Sequence, residues 1–80
     1  MTTAALKTFY VVQPFVKGRR GITAERPTQA SSAGAAVRMA ERLSATKLGV
    51  LAFAQTGDPE MGDFDEPVIL ASHGVVPEVD

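Results

Sequence analysis

The sequence contains no cysteine, no tryptophan, one histidine and one tyrosine. Without cysteine the chain can form no disulfide, no thiolate metal site and no thiol nucleophile. With His73 as the lone imidazole, a multi-histidine zinc site cannot be assembled within one chain. Long apolar runs are missing too. The longest strongly apolar stretch, Leu48 to Ala54, falls far short of the roughly 20 residues of a membrane-spanning helix. The opening Met1-Thr2-Thr3-Ala4-Ala5-Leu6-Lys7 lacks the charged-then-apolar layout of a secretory leader. The expectation is a cytoplasmic protein without a membrane segment.

What remains is a globular composition, 45% hydrophobic and 21% charged, over 80 residues. That length fits one domain, residues 1–80, with 1–7 and 75–80 expected as frayed ends. A domain this short buries a small share of its surface, and chains of this size often lean on disulfides, a metal or oligomerisation. The first two lack their residues here, which leaves association with a second copy.

The chain alternates between strand and turn signals. Thr8 to Lys17 is rich in aromatic and β-branched residues and reads as a strand, with Pro14 expected at a sheet edge or a bulge. Gly18-Arg19-Arg20-Gly21 reads as a tight turn, and Gly21 to Arg26 as a returning strand stopped by Pro27. Thr28, Ser31 and Ser32 compete to cap a helix whose apolar stripe is Ala33, Ala36, Val37, Ala40 and Leu43. Gly49 ends it. Gly49 to Thr56 and Pro67 to His73 read as strands apolar on both faces, joined by a long turn from Gly57 to Glu66. The expected fold class is α+β in the order ββαββ, a four-stranded antiparallel sheet with one helix packed on one face.

Charge is divided along the chain. All eight basic residues precede Leu48, opposed there only by Glu25 and Glu41. From Leu48 onward there are seven acids and no base. With short connections, the ββαββ order sends the Arg19-Arg20 turn and the helix C-terminus to one end of the domain and the acidic turn to the other.

Three groups of residues are candidate sites. Lys17, Arg19, Arg20, Arg42 and Lys47 could contact a phosphate backbone or another anion, although a net charge of −1 is not typical of a nucleic-acid binder. Asp58, Glu60, Asp63, Asp65 and Glu66 form a solvated turn or an acidic docking surface. As a calcium loop they fail, because counting from Asp58 puts Gly62 where a ligand belongs, Asp63 where glycine is needed and Ile69 at the closing position. Leu51, Phe53 and Ile69 are the candidates for self-association, since one helix cannot cover both faces of a sheet. Ser72 and His73 are strand neighbours and point to opposite faces, so they make no catalytic dyad by themselves.

The run Ala40-Glu41-Arg42-Leu43-Ser44-Ala45-Thr46-Lys47, followed by Gly49-Val50-Leu51-Ala52-Phe53, Thr56-Gly57-Asp58-Pro59-Glu60 and Asp65-Glu66-Pro67-Val68-Ile69-Leu70, resembles a family of short uncharacterised bacterial proteins, over roughly residues 37 to 77. No established activity attaches to that family, so the resemblance implies no site residue. The expectation from the residues is a non-enzymatic interaction protein without a cofactor. It would form a homodimer through the sheet face, with an unidentified protein partner possible. The alternative is a weak nucleic-acid-binding module using the basic hairpin turn and the helix C-terminus.

Overall fold

The computed structural model describes residues 6–77. It is a mixed α+β fold with one helix and one antiparallel sheet. The elements are β1 (Lys7–Gly18), β2 (Gly21–Ala24), β3 (Thr28–Ala30), α1 (Ala33–Leu43), β4 (Gly49–Asp58), β5 (Asp63–Phe64) and β6 (Val68–Gly74). The order is therefore βββαβββ. β2 and β3 follow one another along one side of β1, and β5 and β6 along the far side of β4. Pro27, which lacks an N–H, falls in the gap between β2 and β3, so Thr28 starts a short third strand where a helix cap was a candidate. Lys7 already pairs with Gly57, so β1 begins inside the expected frayed end. At the other end the Val75 N–H donates to the Leu48 carbonyl at 3.1 Å. Of the two expected frayed ends, residues 1–5 and 78–80 lie outside the described residues.

β1 is central, flanked by β2 and β3 on one side and β4 on the other. Pro14 thus sits inside the sheet rather than at its edge, and the expected bulge is there: between the pairs Phe15↔Ala24 and Val12↔Thr28, two residues of β1 face three of the partner segment. The local hydrogen bonds explain how. In an antiparallel hydrogen-bonded pair both residues donate and both accept. Glu25 donates to the Pro14 carbonyl at 3.0 Å, but Pro14 has nothing to return. The side-chain amide of Gln13 supplies the missing donor to the Glu25 carbonyl. Proline is tolerated because its neighbour completes the pair.

The helix starts where Ser32 Oγ accepts from the Ala35 N–H at 3.1 Å, which settles the three-way competition for the cap. Ala36 and Ala40 are fully buried, and Ala35, Met39 and Leu43 pack beside them. The stripe is turned slightly from the one expected, with Met39 in it and Val37 outside. It meets Val12, Ala30, Val50 and Ala52 of the sheet, and this cluster is the core. The pairs Val12↔Ala52 and Pro14↔Val50 put these strand residues on one sheet face. Alanine on the helix lets its axis approach the sheet closely, and Val12 and Val50 are the largest fully buried side chains.

β6 carries an irregularity that local alternation does not announce. Ala52 pairs with Ala71, but Phe53 pairs with Ile69, so Leu70 is an extra residue opposite the β4 ladder. Leu70 and Ala71 both pack against the core cluster. Ile69 and Ser72 consequently share the opposite face with Phe53 and Leu51. An unbroken alternation would set Val68 and Leu70 against Ile69 and Ala71, and the bulge replaces it.

Candidate functional site

The face away from the core is built from odd-numbered residues of β1 and β4. The register pairs Phe9 with Gln55, Val11 with Phe53 and Gln13 with Leu51. The bulge adds Ile69 and Ser72 from β6. Val11, Leu51 and Phe53 are half-buried, Ile69 is 55% exposed, and the row ends at the buried Phe15. Leu51, Phe53 and Ile69, the three candidates for self-association, thus lie together. They line an open groove of about 550 Å³ with Pro67, Ser72 and Val76. Pro67 and Val76 were not candidates on sequence grounds. They join because the chain before and after β6 folds alongside Phe53 and Leu51.

The basic candidates divide. β4 starts opposite Phe15, so Val16 to Gly18 of β1 have a strand partner only in β2. The β1–β2 hairpin therefore projects beyond β4 as a two-stranded arm. Its tip carries Lys17, Arg19 and Arg20, all exposed. Gly18 pairs with Gly21, and the left-handed step of the turn falls on Gly21 at φ 122°, where a side chain would be strained. Arg42 is exposed in the last turn of α1, whose C-terminus leads to the start of β4 opposite Phe15. Lys47 is taken by Glu25, with Nζ at 2.7 Å from Oε1. The arm thus carries three of the five basic candidates, with Arg42 on the helix and Lys47 in an ion pair.

The acidic candidates gather at the opposite end of the β1–β4 ladder, where Lys7 pairs with Gly57. β4 runs on to Asp58, so the connection is a tight turn from Pro59 to Gly62 rather than the long turn expected. Asp58 is buried, and its Oδ1 accepts from the Glu60 N–H at 3.0 Å and the Met61 N–H at 3.4 Å. It is a structural residue of the turn. Glu60, Asp63, Asp65 and Glu66 are exposed. Between them lies a second groove, of about 410 Å³, whose apolar lining is Leu6, Met61 and Phe64 and whose rim includes Asp63 and Asp65. Phe64 leans on Phe9, ring centroids 6.3 Å apart and tilted at 52°. Met61 is 72% exposed. Among the described residues no three histidine, aspartate or glutamate side chains are grouped to hold a metal ion.

Ser72 pairs with Leu51 and His73 with Val50, so the two side chains take opposite sheet faces. No helix of the described residues is long and apolar enough to cross a membrane.

The chain matches no family model, no curated protein and no solved structure.

Proposed function

We propose that this chain is a small cytoplasmic, non-enzymatic interaction protein, related to the short bacterial proteins it resembles, that forms a homodimer through the sheet face of Leu51, Phe53 and Ile69. On this reading the segments act as four rows in ββαββ order, with β2/β3 and β5/β6 as interrupted outer rows, and α1 covers one face only. The shortest dimension of the molecule, 17 Å, supports this. A helix about 10 Å in diameter lying on one sheet accounts for that depth and leaves none for a second covering layer. The observation that carries the reading is the mismatch between core and surface. Among the described residues nothing larger than valine is fully buried, while Leu51, Phe53 and Ile69 line an open groove. Burying a leucine, isoleucine or phenylalanine side chain is worth about 1.5–3 kcal/mol, and here that stabilisation is left for an interface. A face about 26 Å across is of the order needed for the roughly 800 Å² per partner of a standard interface.

Sedimentation equilibrium at micromolar concentration tests the dimer. The expected result is a two-copy species that Phe53→Asp converts to monomer by placing a charge at the centre of the patch. A wild-type chain that is monomeric throughout overturns the reading.

A second reading is favoured by the projecting arm. Lys17, Arg19 and Arg20 at the end of a free two-stranded ribbon can lie along a phosphate backbone. It predicts duplex binding that weakens steeply with salt and disappears in Arg19→Ala/Arg20→Ala. Absence of binding at low salt removes it.

A further inference from the structure

The geometry points to an antiparallel homodimer in which the basic arm of each copy docks in the acidic groove of the other. The inference rests on the self-association proposed above and specifies its orientation and its second contact. Three observations carry it. The arm offers Lys17, Arg19 and Arg20 with the exposed Ile22 beside them. The distant groove offers the reverse charge, with Asp63 and Asp65 lining it beside the exposed apolar side chains of Leu6, Met61 and Phe64. These two ends cannot meet within one molecule. The long axis is 51 Å, and the 12 residues of β1 alone separate the ends by about 36 Å at 3.3 Å per residue.

The third observation is where the apolar patch lies between them. Taking β1 as a ruler, the arm tip stands just beyond Gly18 and the acidic turn just beyond Lys7. The midpoint falls near Val12. Leu51 is paired with Gln13 and Phe53 with Val11, so the patch is centred on that same level. A two-fold axis through the patch, perpendicular to the strands, therefore exchanges the two ends. Each arm arrives at the level of its partner's acidic groove, and both contacts form together with the apolar one. Strands of two packed sheets run within about 30° of one another, which keeps the ends in reach. A parallel dimer on the same patch would instead set arm beside arm and carboxylates beside carboxylates. Such an interface is closed and self-complementary, the usual form of a two-copy assembly.

The absence of native cysteine makes the test clean. A spin label on Arg20→Cys gives one site per copy. The antiparallel dimer is expected to show a label-to-label separation above about 40 Å, from about seven residues of strand rise on each side of the axis. A separation below about 20 Å, as two arms stacked on sheets about 10 Å apart would give, overturns the orientation while leaving the dimer standing. A monomer overturns the parent reading instead. Charge reversal supplies the second readout, on exposed side chains whose loss leaves the core intact. Arg19→Glu/Arg20→Glu and, separately, Glu60→Lys/Asp63→Lys/Asp65→Lys are each expected to weaken dimerisation about tenfold or more at low salt. Mixing the two variants restores it. The difference should fade between about 0.01 M and about 1 M salt, as the screening length falls from about 30 Å to about 3 Å. Reversals that leave the association constant unchanged overturn the arm–groove contact. So does a short DNA duplex that binds the arms and dissociates the dimer, which would assign the arm to a phosphate backbone.

Discussion

At the scale of single residues, the sheet depends on two positions whose roles concern backbone rather than side-chain burial. Gln13 completes the hydrogen bonding that Pro14 leaves open, by donating to the Glu25 carbonyl. Gln13→Ala removes that donor from a partly buried carbonyl and is expected to cost about 1–3 kcal/mol, read as a lower midpoint in thermal or urea unfolding. Proline is the residue that sequence logic sends to an edge, and the glutamine before it carries no signal of its own. Their complementarity depends on where Glu25 lies across the ladder. Gly49 is the second case. A β-carbon there would collide with the Val75 carbonyl, because the chain leaving β6 passes directly over it. Gly49→Ala is expected to lose about 1–3 kcal/mol, a steric cost that circular dichroism melts would report. Sequence reading assigns Gly49 the role of helix stop, while the structure makes it the crossing point of two chain segments.

At the scale of elements, the helix is the best-marked part of the chain and the weakest in bulk. Its cap, periodicity and solvated side are local signals, and Ser32, Ala36, Ala40 and Arg42 all appear in the roles expected of their types. Ser32→Ala is expected to cost about 1 kcal/mol through the lost bond to the Ala35 N–H, with Ser32→Asp retaining most of the stability. With 11 residues α1 is about 16 Å long, roughly half the length of the ten-residue β4 at 3.3 Å per residue. One short alanine-faced helix therefore closes only part of the sheet. Val12→Ala should be costly against so small a core, about 2–3 kcal/mol for two lost methyl-sized groups and the cavity left behind. A smaller loss in denaturant titrations would mean that the helix collapses onto the gap. The bulge in β6 was illegible for a different reason. An extra residue is defined by the partner strand, and alternation within β6 reads equally well with or without it.

At the scale of the whole molecule, the division of charge along the sequence becomes a division in space. The arm and the acidic turn stand at opposite ends of an elongated body, and the apolar patch stands between them. Among the described residues, the one ion pair is that of Lys47 with Glu25. A protein shaped this way should associate through two forces with opposite salt responses. The apolar patch holds or strengthens as salt rises, whereas the charged ends are screened. Dimer affinity measured against salt is therefore expected to fall at first and then level off, in contrast to the continuous loss expected for an arm bound to nucleic acid.

The amino-acid sequence by itself determined the types of element, the turn at Gly18–Gly21, the choice of three residues for the helix cap, the charge division and the chemistries that missing cysteine and a lone histidine exclude. Those properties are set by side-chain type and by neighbours a few residues apart. Only the tertiary structure decided which face of each strand is core, how Pro14 is accommodated, where β6 bulges, and that Leu51 and Phe53 lie midway between the charged ends. Each of these rests on pairing such as Val12 with Ala52 or Phe53 with Ile69. Such pairs are chosen by packing across the sheet, and no window of local sequence contains both partners of the long-range ones.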